Sequence, residues 1–297
     1  MDTENKEVKQ EKPSKLTNAQ RAYALVHALP YIQAYSGKIL VVKYGGNAML
    51  NDRLKKSVMR DVVLLHKIGV KVVLVHGGGP EINDMLKKTG KHSEFVDGLR
   101  VTDSETADVV LMVLAGKVNK NLVNLIENTG AHAIGLSGAD GMMIEAKQKD
   151  PRLGFVGEIE RVNVQVILDT LDRGYIPVVS TVGCDKEGNI YNINADTAAA
   201  HIAGALNAES LISMTDIDGV LLDKNDPETL IPHITMDEAP ALIESGVIAG
   251  GMIPKTECCV LAVQCGVKKV FIINGTVPHA ILIETLTDEG LGTMFTM

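Results

Sequence analysis

Residues 71–90 read KVVLVHGGGPEINDMLKKTG, and this order predicts a buried strand, a glycine loop and a helix. Residues 72–75 are an unbroken apolar run rich in β-branched side chains, which is typical of a strand covered on both faces in a parallel sheet. Pro80 suits a first helical position and Gly90 a helix stop. The apolar face of this helix would be formed by Ile82, Met85 and Leu86.

The glycine loop after this strand predicts an anion site. Gly77, Gly78 and Gly79 lack a Cβ, so a ligand can approach their amides, and the start of the helix adds partial positive charge. The loop has neither the G-x-x-x-x-G-K-[ST] pattern of a P-loop nor the G-x-G-x-x-G pattern of a dinucleotide site. A plain strand-to-helix turn is the alternative, and the loop alone does not decide between the two.

The composition limits the class of protein and of partner. A chain of 297 residues with 45% hydrophobic and 22% charged residues is typical of a soluble globular protein with one large or two ordinary domains. The net charge of −8 argues against nucleic acid or an anionic membrane as the main partner. Without a long apolar run or a secretory signal, the sequence predicts a cytoplasmic protein.

The cysteines predict a reducing compartment. Cys184, Cys258, Cys259 and Cys265 form no C-x-x-C pair and do not cluster with histidines, which argues against a structural zinc site. Buried free thiols are the favoured interpretation.

Strand and helix patterns alternate from Lys38 onward, which predicts an α/β protein with parallel strands and right-handed crossovers. Before them, Thr17 or Asn18 could cap a helix that runs to about Tyr35 and packs against its own domain or another subunit. Residues 95–103 are expected to form a loop that caps the next helix. Residues 142–162 are expected to form a β-hairpin.

Four features follow predicted strands, where an open α/β sheet places its ligands. They are Lys43 with Gly45 and Gly46, the loop of Gly77–79, the segment from Asn192 to Asp196, and Lys255 after Gly250 and Gly251. Two lysines beside glycine loops, with one acid, suit phosphoryl transfer, because cations and amides stabilise the migrating group. Singly, each lysine could be an idle surface charge and Asp196 a helix cap; their joint occurrence favours a site.

Arg100 is the candidate for gripping a substrate carboxylate, because its guanidinium matches a carboxylate with two hydrogen bonds. The alternative is a surface ion pair with Asp97 or Asp103. His76, beside the glycines, fits a packed strand-end residue better than a catalytic base.

The chain resembles the amino acid kinase family, most closely its members that phosphorylate N-acetyl-L-glutamate. The resemblance extends from about Leu16 to the C-terminus and rests on the motifs VVKYGGNAM, VLVHGGGPEI, FVDGLRVTD, YNINAD, GGMIPK and GTMF. It implies an open three-layer αβα sandwich with a mainly parallel sheet. It also implies transfer of the γ-phosphoryl group of ATP, with Mg²⁺ on the phosphates, to the γ-carboxylate of N-acetyl-L-glutamate in arginine biosynthesis.

Motif position implies residue roles in such a kinase. Lys43 and Lys255 would stabilise the transferring group, with Asp196 orienting both. Arg100 and Asn192 would bind substrate. Gly45, Gly46, Gly78 and Gly79 would contact phosphate or substrate. No protein group would hold the metal. Glutamate, aspartate and carbamate kinases of the same family remain alternatives, as does a non-catalytic arginine sensor.

The resemblance also implies domains and regulation. Residues 1–36 would be a disordered tail and an interlacing helix, residues 37–206 the N-acetylglutamate domain, and residues 207–297 the ATP domain. Members with this N-terminal extension resemble arginine-inhibited hexamers, a trimer of dimers. Glu284, Gly290 and Gly292 are then candidate arginine contacts, although Glu284 could be an ordinary solvated helix residue. Nothing in the sequence supports docking of a PII-type regulator.

Overall fold

The computed structural model describes residues 16–49 and 51–297, without the side chains of residues 47 and 48. The strands are β1 (Ile39–Tyr44), β2 (Lys71–His76), β3 (Phe95–Val96), β4 (Leu99–Arg100), β5 (Ala133–Ser137), β6 (Ile144–Gln148), β7 (Gly157–Val162), β8 (Ile176–Ser180), β9 (Val182–Cys184), β10 (Ile190–Asn192), β11 (Ser210–Thr215), β12 (His233–Thr235), β13 (Lys269–Asn274) and β14 (Thr293–Thr296). The α-helices are α1 (Asn18–His27), α2 (Leu29–Tyr35), α3 (Asp52–Lys67), α4 (Gly79–Lys88), α5 (Ser104–Leu111), α6 (Asn119–Thr129), α7 (Gln165–Asp172), α8 (Ala195–Ala205), α9 (Ala239–Glu244), α10 (Met252–Gln264) and α11 (Ala280–Leu286).

An eight-stranded sheet forms the centre of the molecule, in the order β12-β14-β13-β11-β1-β2-β8-β5. The six strands from β13 to β5 are parallel, and β14 with β12 runs opposite to them at one edge. Apolar residues of the inner strands, such as β1, β2, β11 and β13, alternate between two cores. One core contains side chains of α3, α6 and α11, and the other contains side chains of α7, α8 and α10. The predicted three-layer, mainly parallel α/β fold is confirmed.

Residues 71–90 fold as their sequence predicts. Every apolar residue of β2 is fully buried, as expected for a strand with helices on both faces. Helix α4 begins at Gly79, so Pro80 is in its first turn, and Gly90 follows the helix at φ +79°. Ile82 and Leu86 are its buried residues.

The pairs β6–β7 and β3–β4 form hairpins outside the eight-stranded sheet. The predicted one is confirmed as the antiparallel pair β6 and β7, part of a four-stranded sheet in the order β10-β9-β6-β7. The loop expected at residues 95–103 is wrong in part, because β3 and β4 pair there. Asp97 and Gly98 both have positive φ, 50° and 76°, which a two-residue hairpin turn favours. Asp103 caps α5 as predicted.

The N-terminal helix is interrupted, contrary to the single helix expected. Thr17 caps α1, but the helix ends at His27 and α2 begins at Leu29. Pro30 explains the break, because a proline has no N–H to form the helical hydrogen bond and its ring crowds the preceding turn. Helix α1 has no buried residue. The predicted disordered tail, up to residue 15, lies outside the described residues.

Two further predictions concern burial and membrane contact. All four cysteines are free, as predicted, but Cys265 is exposed, which corrects its expected burial, because it follows the last residue of α10. Within the described ranges, the helical stretch Ser104–Thr129 is long and apolar enough to span a membrane by length and composition. It behaves as a core helix, since Val110, Leu122 and Ile126 are buried against the sheet.

The predicted domain boundary at residue 206 stays a prediction. A single sheet crosses it, because β1 pairs with β11 on one side and β2 on the other. The two halves also meet where α3 contacts α11. Asp61 of α3 is buried and its Oδ1 lies 2.6 Å from the Nδ1 of His279. The second oxygen of Asp61 has no partner among the described residues.

We expect Asp61 to make the protein more stable in mild acid. Burial raises the pKa of Asp61 to about 6, although the His279 contact lowers it; an unfolded Asp has a pKa of about 3.9. The folded state therefore binds a proton that the unfolded state does not between these values, and this contribution to stability is lost as pH rises through 6. Urea unfolding should show a contribution of about 2–3 kcal/mol between pH 4 and 7 that Asp61→Asn removes. An unchanged pH slope in the variant would contradict it.

Candidate active site

One carboxylate holds two lysines at the carboxyl end of the sheet. Lys43, the fifth residue of β1, is 5% exposed, and its Nζ lies 2.8 Å from Oδ1 of Asp196. Lys255, in the first turn of α10, places its Nζ 3.5 Å from Oδ2 of Asp196. The structure thus brings together all three residues predicted as catalytic.

Asp196 is charged because of these lysines. Burial by itself would raise its pKa, but the charges of Lys43 and Lys255 outweigh burial and hold the pKa at about 2. The carboxylate is therefore ionised throughout the neutral range and keeps both ammonium groups fixed. Asp196 is not the helix cap considered from the sequence, since Asn194 caps α8 by accepting from the amides of Asp196 and Thr197.

Ser213 is a contact that sequence reasoning missed. Its hydroxyl donates to Oδ1 of Asp196 over 3.0 Å. Ser213 lies on β11 directly beside Lys43 of β1, and paired residues of parallel strands point to the same face. The pairing would have been the signal, but a serine within the run SLISMT does not reveal which strand it neighbours.

The two glycine loops emerge side by side next to Lys43. Tyr44 and His76 are paired at the ends of β1 and β2, and the amide of Gly77 donates to the carbonyl of Tyr44 over 3.3 Å. A Cβ on Gly45 would lie 3.6 Å from Cε of Lys43. A Cβ on Gly77 would lie 3.3 Å from Cβ of Ala195, the first residue of α8. The start of α4 at Gly79 adds a helix N-terminus, so the arrangement suits an anion.

Gly46 is the exposed member of the first loop. Its φ is +68°, in the left-handed region that favours glycine. A Cβ there would meet nothing within 4 Å. Its backbone therefore faces space that a ligand can enter.

Arg100 is a buried cation without a carboxylate. It is 7% exposed at the end of β4, and its guanidinium donates to Asn83 Oδ1 (2.7 Å), to Ser93 Oγ and to the carbonyl of Gly79 (3.3 Å). Its guanidinium carbon lies 4.8 Å from the centre of the Phe95 ring. In the part of the chain that the structure describes, no acid pairs with it.

The ion pair considered as the alternative for Arg100 is absent from the described residues. Asp103 instead pairs with Lys91 over 3.0 Å. Burial lowers the pKa of Arg100, yet a guanidinium stays charged at neutral pH. A buried charge that is hydrogen-bonded only to neutral groups suits an anionic ligand.

Hydrogen bonds of Thr102 link Asn192 to Arg100. Thr102 was not among the residues selected from the sequence. The Asn192 amide donates to Oγ1 of Thr102 over 3.3 Å, and that hydroxyl donates to the carbonyl of Arg100 over 2.8 Å. Asn192 and Thr102 also bridge to the β6–β7 hairpin at Val156 and Gly154. The predicted substrate residues Arg100 and Asn192 are therefore neighbours under the hairpin.

Comparison with known proteins agrees with this arrangement. The model of the amino acid kinase family matches residues 38–274. Acetylglutamate kinases of Brachyspira hyodysenteriae and Clostridium beijerinckii are 55% and 52% identical over 94% of this chain, and the matches cover 98% and 99% of those proteins. The chain belongs to the amino acid kinase family. These two relatives, which match nearly the whole chain, are acetylglutamate kinases.

A solved structure extends the family likeness to the fold. The N-acetylglutamate synthase of Neisseria gonorrhoeae, complexed with coenzyme A and N-acetyl-glutamate, superposes with a TM-score of 0.82 at 25% identity. The match covers 93% of this amino acid kinase chain and 63% of the synthase chain.

His76 of this amino acid kinase is a packed residue, as predicted. It is fully buried; its Nδ1 lies 2.9 Å from the carbonyl of Gly77 and its Nε2 lies 3.1 Å from the amide nitrogen of Asn119. Burial lowers the pKa of His76 to about 4. The ring is therefore neutral at working pH and is held inside the sheet.

The three arginine-site candidates are adjacent in space. The Glu284 carboxylate accepts from the amide of Leu291 over 2.8 Å, and a Cβ on Gly290 would lie 3.2 Å from it. Burial raises the pKa of Glu284, so it is not the solvated helix residue considered as the alternative. Gly292 packs so closely on β13 that a Cβ would overlap the carbonyl of Ile272. Helix α2 lies nearby, since Tyr31 hydrogen-bonds Asp288.

Proposed function

We propose that the protein transfers the γ-phosphoryl group of ATP to the γ-carboxylate of N-acetyl-L-glutamate, giving N-acetyl-L-glutamyl 5-phosphate and ADP. This is an early step of arginine biosynthesis and would take place in the cytoplasm. The observation that carries the proposal is the convergence of Lys43 and Lys255 on Asp196, beside two glycine loops. It is supported by an acetylglutamate kinase relative that matches 94% of the chain.

The reaction needs positioning rather than a strong base. The substrate carboxylate is already ionised at pH 7, so one of its oxygens can form the new bond to the γ-phosphorus while the bond to the ADP oxygen breaks. Repulsion between the two anions is the obstacle. Lys43 and Lys255 would offset the negative charge that spreads over the transferring group, while Asp196 holds both ammonium groups in place.

The loops and Arg100 would hold the reactants. Amides of Gly45 and Gly46 would contact phosphate oxygens, and those of Gly78 and Gly79 would contact the acetylated substrate or the migrating group. Arg100 would bind a carboxylate of the substrate, with Asn192 as its neighbour. The substrate carboxylate would thus be the negatively charged partner that the buried Arg100 guanidinium lacks among the described residues.

Mg²⁺ would reach the site on the nucleotide phosphates. Over the described ranges, no group of three or more His, Cys, Asp or Glu side chains is arranged to hold a metal ion, and both oxygens of Asp196 are within ion-pair distance of a lysine. The metal would neutralise part of the triphosphate charge. Residues 37–206 would then bind N-acetylglutamate and residues 207–297 the nucleotide.

An ADP-release assay with parallel acceptors tests the proposal. We expect turnover with ATP, Mg²⁺ and N-acetyl-L-glutamate, and at most trace turnover with glutamate, aspartate or carbamate. Preference for an unacetylated acceptor would move the chain to a sister kinase of the family. Silence with every acceptor, while L-arginine still binds, would favour the non-catalytic sensor.

We also propose feedback inhibition by L-arginine in a hexamer. Glu284 is the only acid among the three candidate residues and would pair with the ligand guanidinium, near Gly290, Gly292 and α2. The exposed apolar residues of α1, which include Tyr23, Leu25 and Val26, support packing against another subunit rather than its own domain. Inhibition of the N-acetylglutamate reaction by L-arginine, lost in Glu284→Gln, together with a hexameric mass, is the expected result.

A further inference from the structure

A buried hydrogen-bond chain ends on the glycine loop, and the functional residues above do not explain it. Asn119, fully buried at the start of α6, places its Nδ2 within 3.1 Å of His76 Nε2, 3.1 Å of the Leu136 carbonyl and 2.8 Å of the Val178 carbonyl. These acceptors belong to β2, β5 and β8, the three neighbouring strands at one side of the sheet. The Asn119 amide therefore contacts all three strands, close to the end of β2 where the glycine loop begins.

The orientation of the Asn119 amide follows from its partners. The nitrogen side faces two backbone carbonyls, which only accept, and the Oδ1 accepts from Nζ of Lys120 over 3.0 Å. An amide nitrogen does not accept hydrogen bonds, so Nε2 of His76 is the acceptor in this contact, and because two N–H groups face three acceptors, one N–H is shared between two of them. A neutral imidazole that accepts at Nε2 carries its proton on Nδ1.

The N–H at Nδ1 of His76 forms a hydrogen bond with the glycine loop of Gly77–79. It donates to the carbonyl of Gly77 over 2.9 Å, and this carbonyl belongs to the same peptide group as the amide of Gly78. We propose that Asn119 and His76 are positioning residues: Asn119 fixes the His76 tautomer, and His76 fixes the Gly77–Gly78 peptide so that the loop amides face the transferring phosphoryl group. This inference rests on the proposed function of the loop.

A π-helix and two glycines position the residues of this hydrogen-bond network. The segment Met112–Val118, just before Asn119, is a π-helix, a form that is rare and frequent at functional sites. Its Leu114 and Val118 pack so closely on Gly78 that a Cβ there would lie 2.7 Å from Leu114 Cδ2. Gly135 leaves room for the Asn119 amide, since a Cβ would lie 1.9 Å from its Oδ1. Loop, helix and amide are thus fitted to one another.

Two substitutions at His76 separate positioning from packing. An asparagine amide nitrogen can take the place of Nδ1, and a glutamine amide reaches the place of Nε2. His76→Asn should keep the bond to the Gly77 carbonyl, and His76→Gln should lose it. We expect kcat to fall about tenfold or more in His76→Gln and by about threefold or less in His76→Asn, with the KM for ATP little changed. Equal kcat in the two variants at equal folded fraction would overturn the proposal.

Nitrogen-15 NMR of the imidazoles gives a readout that packing alone would not move. The wild-type His76 ring, assigned by its loss in His76→Asn, should be protonated at Nδ1. Asn119→Ala should shift the ring toward the Nε2-protonated form and lower kcat, whereas Asn128→Ala, at the exposed end of the same helix, should change neither. A ring protonated at Nε2 in the wild type would overturn the proposal. Wild-type silence with N-acetylglutamate would instead refute the proposed function, and the tautomer measurement would stand by itself.

Discussion

Replacing Lys43 or Lys255 with alanine is expected to lower kcat by about 10²- to 10³-fold, the cost of removing one preorganised electrostatic contact to a transition state. Lys43→Ala should have a second effect, because it leaves Asp196 with Lys255 alone at 3.5 Å. The pKa of Asp196 should then rise from about 2, since the largest opposing influence, burial, remains.

Steady-state ADP release with N-acetyl-L-glutamate checks this expectation, and Lys71→Ala is the matched control. Lys71 also pairs with an aspartate, Asp172 at 3.1 Å, but on the surface, where an ion pair contributes little. The control should keep wild-type kcat. Binding of L-arginine should persist in all three variants, which shows that the fold is intact. Turnover that survives loss of both catalytic lysines would remove them from the reaction.

Arg100→Lys should raise the KM for N-acetyl-L-glutamate by about 10- to 100-fold while leaving the KM for ATP nearly unchanged. Lysine keeps the positive charge but loses the planar fork that binds a carboxylate with two hydrogen bonds, and a charge-assisted hydrogen bond is worth about 1.5–3 kcal/mol. The guanidinium bonds to Asn83 and Gly79 would also be lost, so the new ammonium would be poorly aimed.

Arg152→Lys is the control for Arg100→Lys. Arg152 also bonds to its neighbours through a guanidinium, but it is exposed and pairs with Asp150 at 2.7 Å. Initial rates over a range of N-acetyl-L-glutamate at saturating ATP should separate the two variants. A rise in the KM for ATP instead would place Arg100 on the nucleotide side of the site.

The sequence was sufficient for the features that depend on local order. Strand β2, the glycine loop and α4 follow one another directly in the chain. The apolar pattern and the turn residues of this segment were therefore enough to predict all three. Lys43, Asp196 and Lys255 were expected together because each was taken to follow a strand of one sheet. That premise is right only for Lys43, which lies at the end of β1; Asp196 is in α8 after β10 of the four-stranded sheet, and Lys255 is in α10, which follows α9. The D-G pair at Asp97 was also readable as a hairpin turn, although a loop was expected.

Other features depend on contacts that local order does not encode. Ser213 acquires its role only when β11 lies beside β1 in the observed register. Asn119 acquires its role by reaching carbonyls on β5 and β8, which are brought beside β2 by the fold. The π-helix before Asn119 replaces an ordinary helical turn, and the apolar period of its sequence does not distinguish the two.

Trapping the product is the most direct test that this chain phosphorylates a carboxylate. Acyl phosphates react with hydroxylamine to give hydroxamates, so the protein would be incubated with ATP, Mg²⁺, N-acetyl-L-glutamate and hydroxylamine, and the products identified by mass spectrometry. We expect one γ-hydroxamate of N-acetylglutamate for each ADP released. ADP release without hydroxamate would show transfer to water instead and would contradict the assignment of a carboxylate acceptor.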